Sequence, residues 1–202
     1  MRTFDRRKER EMSRLEHEIM SRNTLWNDNE GRLFMIWFCL RLLSQCCVTP
    51  VRMLEIGVDR GSVPLFLASW FRASNDYLRG LYVGVDPKWR LPFGLGELSD
   101  FASFVEADSE DFWKIDKSIW DLIYVDGCHD DDVAGFDVCE AVKRLRPDGI
   151  LLVHDVRDDG GPRKAFIKHC MENPEMTAFF ATAENVCGTG MGIAFRKGSK
   201  WE

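Results

Sequence analysis

The sequence lacks the marks of a disulfide-built, membrane-spanning or nucleic-acid-coating protein. Its seven cysteines include no C-x-x-C pair, the count is odd, and Cys46 and Cys47 are adjacent. That usage fits a reduced intracellular chain better than a disulfide framework or a zinc site. No long apolar run is present. The longest, Leu33 to Leu40, is far below the ~20 residues a membrane span needs. The first eight residues, Met1 to Lys8, are too charged for a secretory signal, and the expected location is the cytoplasm. A basic excess is also missing: the formal net charge is -6, which argues against nonspecific nucleic-acid binding. Histidine is scarce, with four in the chain. There is no internal repeat, no low-complexity segment and no G-x-G-x-x-G dinucleotide turn.

What remains is an ordinary globular composition, 45% apolar and 30% charged over 202 residues, which predicts one compact domain. Residues 5–22 carry mixed charge with Met12, Leu15 and Ile19 at helical spacing, so residues 1–30 read as an amphipathic helical extension. Edge packing is the commoner use of such a stripe. A substrate lid and a dimer arm, which would make a homo-oligomer, are the sharper ones. Residues 31–202 read as the domain proper, beginning with a more hydrophobic helix over 31–46.

A βαβ alternation follows. Strands are predicted at 51–56, 81–85, 103–107, 121–125 and 150–153, with helices near 61–73, 131–145 and 161–172. The helix over 131–145 stops at Arg146-Pro147-Asp148-Gly149. Two later runs, 177–182 and 191–195, flank a Gly-rich turn and predict an antiparallel strand pair at the sheet edge. The fold class is therefore α/β, a doubly wound, mostly parallel sheet of Rossmann-like type. Its ligand site belongs at the carboxyl ends of the parallel strands, where the order reverses.

The most informative segment is Glu55-Ile56-Gly57-Val58-Asp59-Arg60-Gly61-Ser62. Gly57 lets backbone approach a ligand, and Gly61 tolerates a left-handed turn. Ser62 opens a helix whose N-terminal amides suit a carboxylate or phosphate. Glu55 and Asp59 would repel a diphosphate. A ligand carrying ammonium and sulfonium charges beside its carboxylate satisfies both demands, and S-adenosylmethionine is such a ligand.

Every predicted parallel strand delivers an acid to that edge: Glu55, Asp86, Asp108, Asp126 and Asp155. Asp86 is placed to accept from ribose hydroxyls, although an Asp before Pro87 also forms turns. Asp108 and Ser109 face the adenine side or cap the next helix. Asp126 and Asp155, on adjacent strands, need a cation or proton between them. Hard oxygen donors there favour Mg²⁺, with His154 alongside as a further ligand or a buried hydrogen-bonding group. His129, one short turn past Asp126, is the candidate general base; a capping role is the alternative. His17 and His169 lie in charged helical surroundings and carry no function. Trp89, Trp113 and Trp120 are either pocket lining or, more commonly, core.

With those residues named, the chain resembles class I S-adenosylmethionine-dependent methyltransferases over 48–196. The similarity is nearest to the branch of small-molecule O-methyltransferases from antibiotic and sugar-modifying pathways. The motifs are Glu55 to Ser62, Asp126 to His129, Pro147 to Gly149, and His154-Asp155. The resemblance implies that Glu55, Gly57 and Asp86 bind the cofactor, with Asp108 nearby. It also implies Asp126 and Asp155 as Mg²⁺ ligands and His129 as base. His154 departs from the metal-dependent members, which have a carboxylate there. The expected activity is methyl transfer to a hydroxyl of a small-molecule acceptor. A noncatalytic adenosyl-binding scaffold and a nucleotide-dependent oxidoreductase are the alternatives.

Overall fold

The computed structural model describes residues 30–46, 50–74, 81–88, 90, 98, 100–181 and 190–202. The amphipathic segment 5–22, His17, Trp89, the 91–97 stretch and most of the turn before the last strand lie outside these residues. Helix α1 (Glu30–Cys46) precedes strand β1 (Arg52–Ile56), α2 (Ser62–Ser74), β2 (Leu81–Asp86) and β3 (Ala102–Glu106). Then come α3 (Ser109–Ile115), β4 (Trp120–Val125), α4 (Asp131–Arg144), β5 (Leu145–His154), α5 (Gly161–Phe166, ending in one wider π turn), β6 (Met176–Ala181) and β7 (Met191–Arg196).

The seven strands form one sheet in the order β3-β2-β1-β4-β5-β7-β6. The first five are parallel, and β7 runs antiparallel between β5 and β6. Order reverses between β1 and β4, so a crevice opens at their carboxyl ends. Strand alternation sorts the core into two layers. Met53, Tyr82, Leu122, Tyr124 and Leu152 face α1 and α2, meeting Leu33, Ile36, Leu40, Val63 and Leu67. Leu54, Ile56, Ile123, Val125, Leu151 and Val153 face α3, α4 and α5. Trp113 and Trp120 are core residues of that second layer, and among the described residues no helix is long and apolar enough to cross a membrane.

One boundary differs from the expected pattern. The Pro147-Gly149 breaker does not stand outside the strand but within β5, which begins at Leu145. The register shows why: Trp120 pairs with Leu145 while Leu122 pairs with Ile150. The extra residues bulge out, and the ladder resumes beyond them.

Asp137, on α4, is buried against α3, where the Trp113 indole donates to its Oδ1 at 3.0 Å. Burial pushes its carboxyl up to about 6, against smaller opposing hydrogen bonds from Ser109 and Trp113. Because the native state holds this proton more tightly than the unfolded chain, its stabilising effect is full below about pH 4. It is lost as the pH rises through about 6, at a cost on the order of 3 kcal/mol. Asp137→Asn keeps an acceptor for the indole and removes the titration. Its unfolding free energy should exceed that of the wild type at pH 7 and converge with it near pH 4. Denaturant titrations between pH 4 and 7 check this; parallel profiles would contradict it.

Candidate active site

The turn after β1 is built as its glycines suggested. Gly57 and Gly61 have φ of 90° and 72°, and Asp59 also takes a left-handed φ of 45°. Gly57 has no room for a side chain: an added Cβ would lie 2.2 Å from the Asp126 carbonyl oxygen. The Gly57 amide donates to Val85 O at 2.9 Å, and the Asp126 amide donates to Ile56 O at 2.8 Å. The turn is thus stitched to β2 on one side and β4 on the other. Gly61 accepts at its carbonyl from the Leu65 amide at 3.1 Å, and Ser62 starts α2.

Asp86 does a structural job in this turn. Its Oδ2 accepts from the amides of Val58 and Asp59 at 3.0 and 2.9 Å, and its Oδ1 accepts from Lys88 N at 2.8 Å. Lone-pair capacity remains for a hydroxyl donor. Asp108 precedes α3 in extended conformation and makes no side-chain cap bond. Ser109 bonds inward to Asp137, which competes with the expected adenine contact.

Glu55 corrects the electrostatic expectation. It does not stand on the rim: it is 2% exposed and accepts a hydrogen bond from the Tyr82 hydroxyl. Burial pushes its carboxyl up to about 8, outweighing the hydrogen bond from Tyr82. At neutral pH it is therefore mostly uncharged. The space is made by Gly84, paired with Glu55 on β2, where a Cβ would come within 2.8 Å of the Tyr82 hydroxyl. Asp59 is the exposed acid of the turn, 3.6 Å from Arg90.

The chemistry converges on the ends of β4 and β5. Asp126 Oδ2 accepts from Arg32 Nη1 at 2.6 Å and from the Tyr124 hydroxyl at 2.8 Å. Its Oδ1 lies 3.0 Å from His154 Nδ1, which is also 3.1 Å from Asp155 Oδ2. That same Asp155 oxygen is 3.0 Å from His129 Nε2, and His129 is 58% exposed. Asp155 takes φ of 56°, a left-handed conformation that Asp and Asn tolerate better than most residues. Arg32 Nη2 donates to Ser62 Oγ at 2.8 Å, joining α1 to the start of α2. Burial opposes the Arg32 charge, the Asp126 carboxylate at 2.6 Å supports it, and the guanidinium is held above its ordinary value.

The expected residues Ser62, Asp126, His129, His154 and Asp155 therefore share one network, while Asp108 and Ser109 do not join it. Arg32, Tyr82 and Tyr124 were not anticipated. A cation immediately before the apolar run Leu33 to Leu40 of α1 was the available signal for Arg32.

Asp126, His154 and Asp155 each offer one donor atom, all within 4.8 Å of one another. The donor set does not suit Mg²⁺. An imidazole replaces a hard oxygen donor, and it favours borderline transition ions over magnesium. Asp126 is also paired already with a guanidinium, and His154 Nδ1 lies 3.0 and 3.1 Å from the two carboxylates.

Comparison with known proteins agrees with the fold described. The family described as a methyltransferase domain matches residues 54–156, over half of the chain, and the chain belongs to that family. This sets aside the oxidoreductase alternative. No curated protein matches the sequence. Among solved structures, an O-methyltransferase from Bacillus cereus in complex with SAH is 18% identical. It aligns over 91% of this chain and 90% of its own, with a TM-score of 0.61. CalS11, a TDP-rhamnose 3'-O-methyltransferase of calicheamicin biosynthesis, is 15% identical over 98% of this chain and 97% of its own, with a TM-score of 0.59. TomG, an O-methyltransferase of tomaymycin synthesis from Streptomyces achromogenes, is 21% identical over 78% and 77%, with a TM-score of 0.54. At these identities the likeness is one of fold.

Proposed function

We propose that the chain transfers a methyl group from S-adenosylmethionine to a hydroxyl oxygen of a small molecule, with His129 as general base. The observation that carries this reading is the His129–Asp155 pair, 3.0 Å apart, at the mouth of the crevice beside the Gly57 turn. The left-handed turn at Gly57 and the start of α2 at Ser62 fit the cofactor. Gly57, Gly61, Ser62, Asp86 and Asp126 would hold it, with Asp108 and Ser109 toward the adenine side and Glu55 supporting the turn through Tyr82. When bound, S-adenosylmethionine supplies a methyl group on a sulfonium that leaves as a neutral thioether.

The chain's own work is then positioning and proton removal. A proton on His129 Nε2, donated to Asp155, leaves the lone pair of Nδ1 to take the acceptor's hydroxyl proton. Asp155 fixes the ring and balances the imidazolium that forms. Because His129 is half exposed, it passes the proton to solvent. The small-molecule acceptor is supported by the structural likeness to CalS11 and TomG and by the net charge of -6. Cytoplasmic location belongs to the same reading.

The test is transfer of labelled methyl from S-adenosylmethionine to a panel of sugars and hydroxylated natural products. Turnover on at least one hydroxyl acceptor is expected. Cofactor binding with no transfer to any of them would favour the noncatalytic scaffold. Because the Asp126–His154–Asp155 donors suit Mg²⁺ poorly, treatment with a chelator should leave the rate within about twofold. A rate that collapses and is restored by added Mg²⁺ would contradict that.

A further inference from the structure

We infer that His154 is a positioning residue standing where a divalent cation would: its Nδ1–H ties Asp126 to Asp155 and holds Asp155 against His129. The role of His129 as base is taken from the reading above; the tie itself needs no cofactor.

Asp126 and Asp155 follow the last residues of β4 and β5, which lie side by side in the sheet. Two carboxylates brought together there repel unless a cation or a donated hydrogen lies between them. His154 supplies the hydrogen. It ends β5 in register with Met191 of β7, so the backbone that carries the ring has a strand on each side. The side chain is buried, 8% exposed, and stands edge-on to Tyr124 with ring centres 6.2 Å apart. Nδ1 lies 3.0 Å from Asp126 Oδ1 and 3.1 Å from Asp155 Oδ2. Ionised carboxylates only accept, so the nitrogen between them must carry a hydrogen. Shared by two oxygens, that hydrogen makes a linear bond to neither, and the contact is chiefly electrostatic. A metal ligand needs the opposite, a bare lone pair on the same atom.

The tie has two fixed ends. Asp126 Oδ2 accepts from Arg32 and from Tyr124. At the other end, Asp155 Oδ2 meets both His154 Nδ1 and His129 Nε2. The order is Arg32, Asp126, His154, Asp155, His129, running from a buried cation to an exposed base. His129 lies on the loop between β4 and α4, so its ring orientation is set by Asp155 and that of Asp155 by His154. A carboxylate at 154 would instead gather three acids, a donor set suited to a hard divalent cation.

Three variants of the full chain separate donor, bulk and charge. His154→Asn keeps an N–H at the place of Nδ1 in a smaller side chain, whereas His154→Leu keeps bulk and removes the donor. The first readout is the His129 tautomer, from nitrogen-15 chemical shifts. Wild type and His154→Asn should hold the hydrogen on Nε2, and His154→Leu should relax toward the mixture of a free imidazole. A residue that only packs gives the reverse. Any result in which His154→Asn does no better than His154→Leu overturns the proposal. The second readout is titration with Mn²⁺ alone, followed by electron paramagnetic resonance. His154→Asp should bind the ion at least about 10-fold more tightly than wild type, because an oxygen donor replaces the N–H. A folded His154→Asp with no gain overturns the proposal. So does Ni²⁺ binding by the wild type that His154→Asn abolishes, since His154 would then be a ligand. Neither readout uses cofactor or acceptor, so failure of the methyltransferase reading would show separately, in the transfer assay.

Discussion

Gly57→Ala is expected to remove cofactor binding and to destabilise the protein. The added methyl would meet only backbone: the Asp126 carbonyl oxygen at 2.2 Å, its carbon at 2.5 Å and Gly127 Cα at 2.7 Å. No rotamer relieves contacts of that kind. The φ of 90° adds a strain of about 1–3 kcal/mol for any residue with a Cβ. To accommodate alanine, the turn after β1 must draw away from the end of β4, breaking the stitch that places Gly57 beside Asp126. The combined cost should reach at least about 3 kcal/mol, a fall in Tm of roughly 6–12 °C for a chain of this size. Gly135→Ala is the control. It lies inside α4 with nothing within 4 Å of its added Cβ, and it should stabilise by about 0.5–1 kcal/mol through helix propensity. Thermal melts of the two variants should therefore move in opposite directions.

The second large effect is kinetic. His129→Ala should lower the rate of transfer by about 100- to 10,000-fold, the usual contribution of a positioned base. Cofactor affinity should be unchanged, because His129 touches Asp155 and not the Gly57 turn. Its exposure makes a folding defect an unsuitable explanation for any loss. Asp155→Asn is the companion variant: asparagine tolerates the left-handed backbone at 155, so the charge is removed without new strain. A base oriented by Asp155 requires both variants to lose turnover while retaining binding. Full activity in His129→Ala, measured as labelled methyl incorporated into the acceptor, would reject the base assignment.

The elements that the sequence announced are those with local signals. Buried runs ending in acids marked the parallel strands, and glycines four apart marked a turn whose two positive φ values are now explicit. The site proved less legible where it depends on distance in the chain. Arg32 is 94 residues from Asp126, and only the packing of α1 against β4 and β5 brings them together. The charge state of Glu55 was misjudged for a related reason. An acid at a strand end reads as exposed, whereas its pairing opposite Gly84 turns it inward onto Tyr82. Asp86 shows a third case: its position was legible, but its use in holding two backbone amides of the turn after β1 was not. The bulge in β5 concealed only where that strand begins, behind a Pro-Gly signal that normally ends one element before the next begins.

The most direct measurement is a calorimetric titration of the purified chain with S-adenosylhomocysteine, run beside Gly57→Ala and His129→Ala. Wild type and His129→Ala should each take up one saturating equivalent with the same affinity, and Gly57→Ala should take up none. Absence of saturable binding to the wild type, or undiminished binding to Gly57→Ala, would contradict a cofactor seat between the turn after β1 and Asp126.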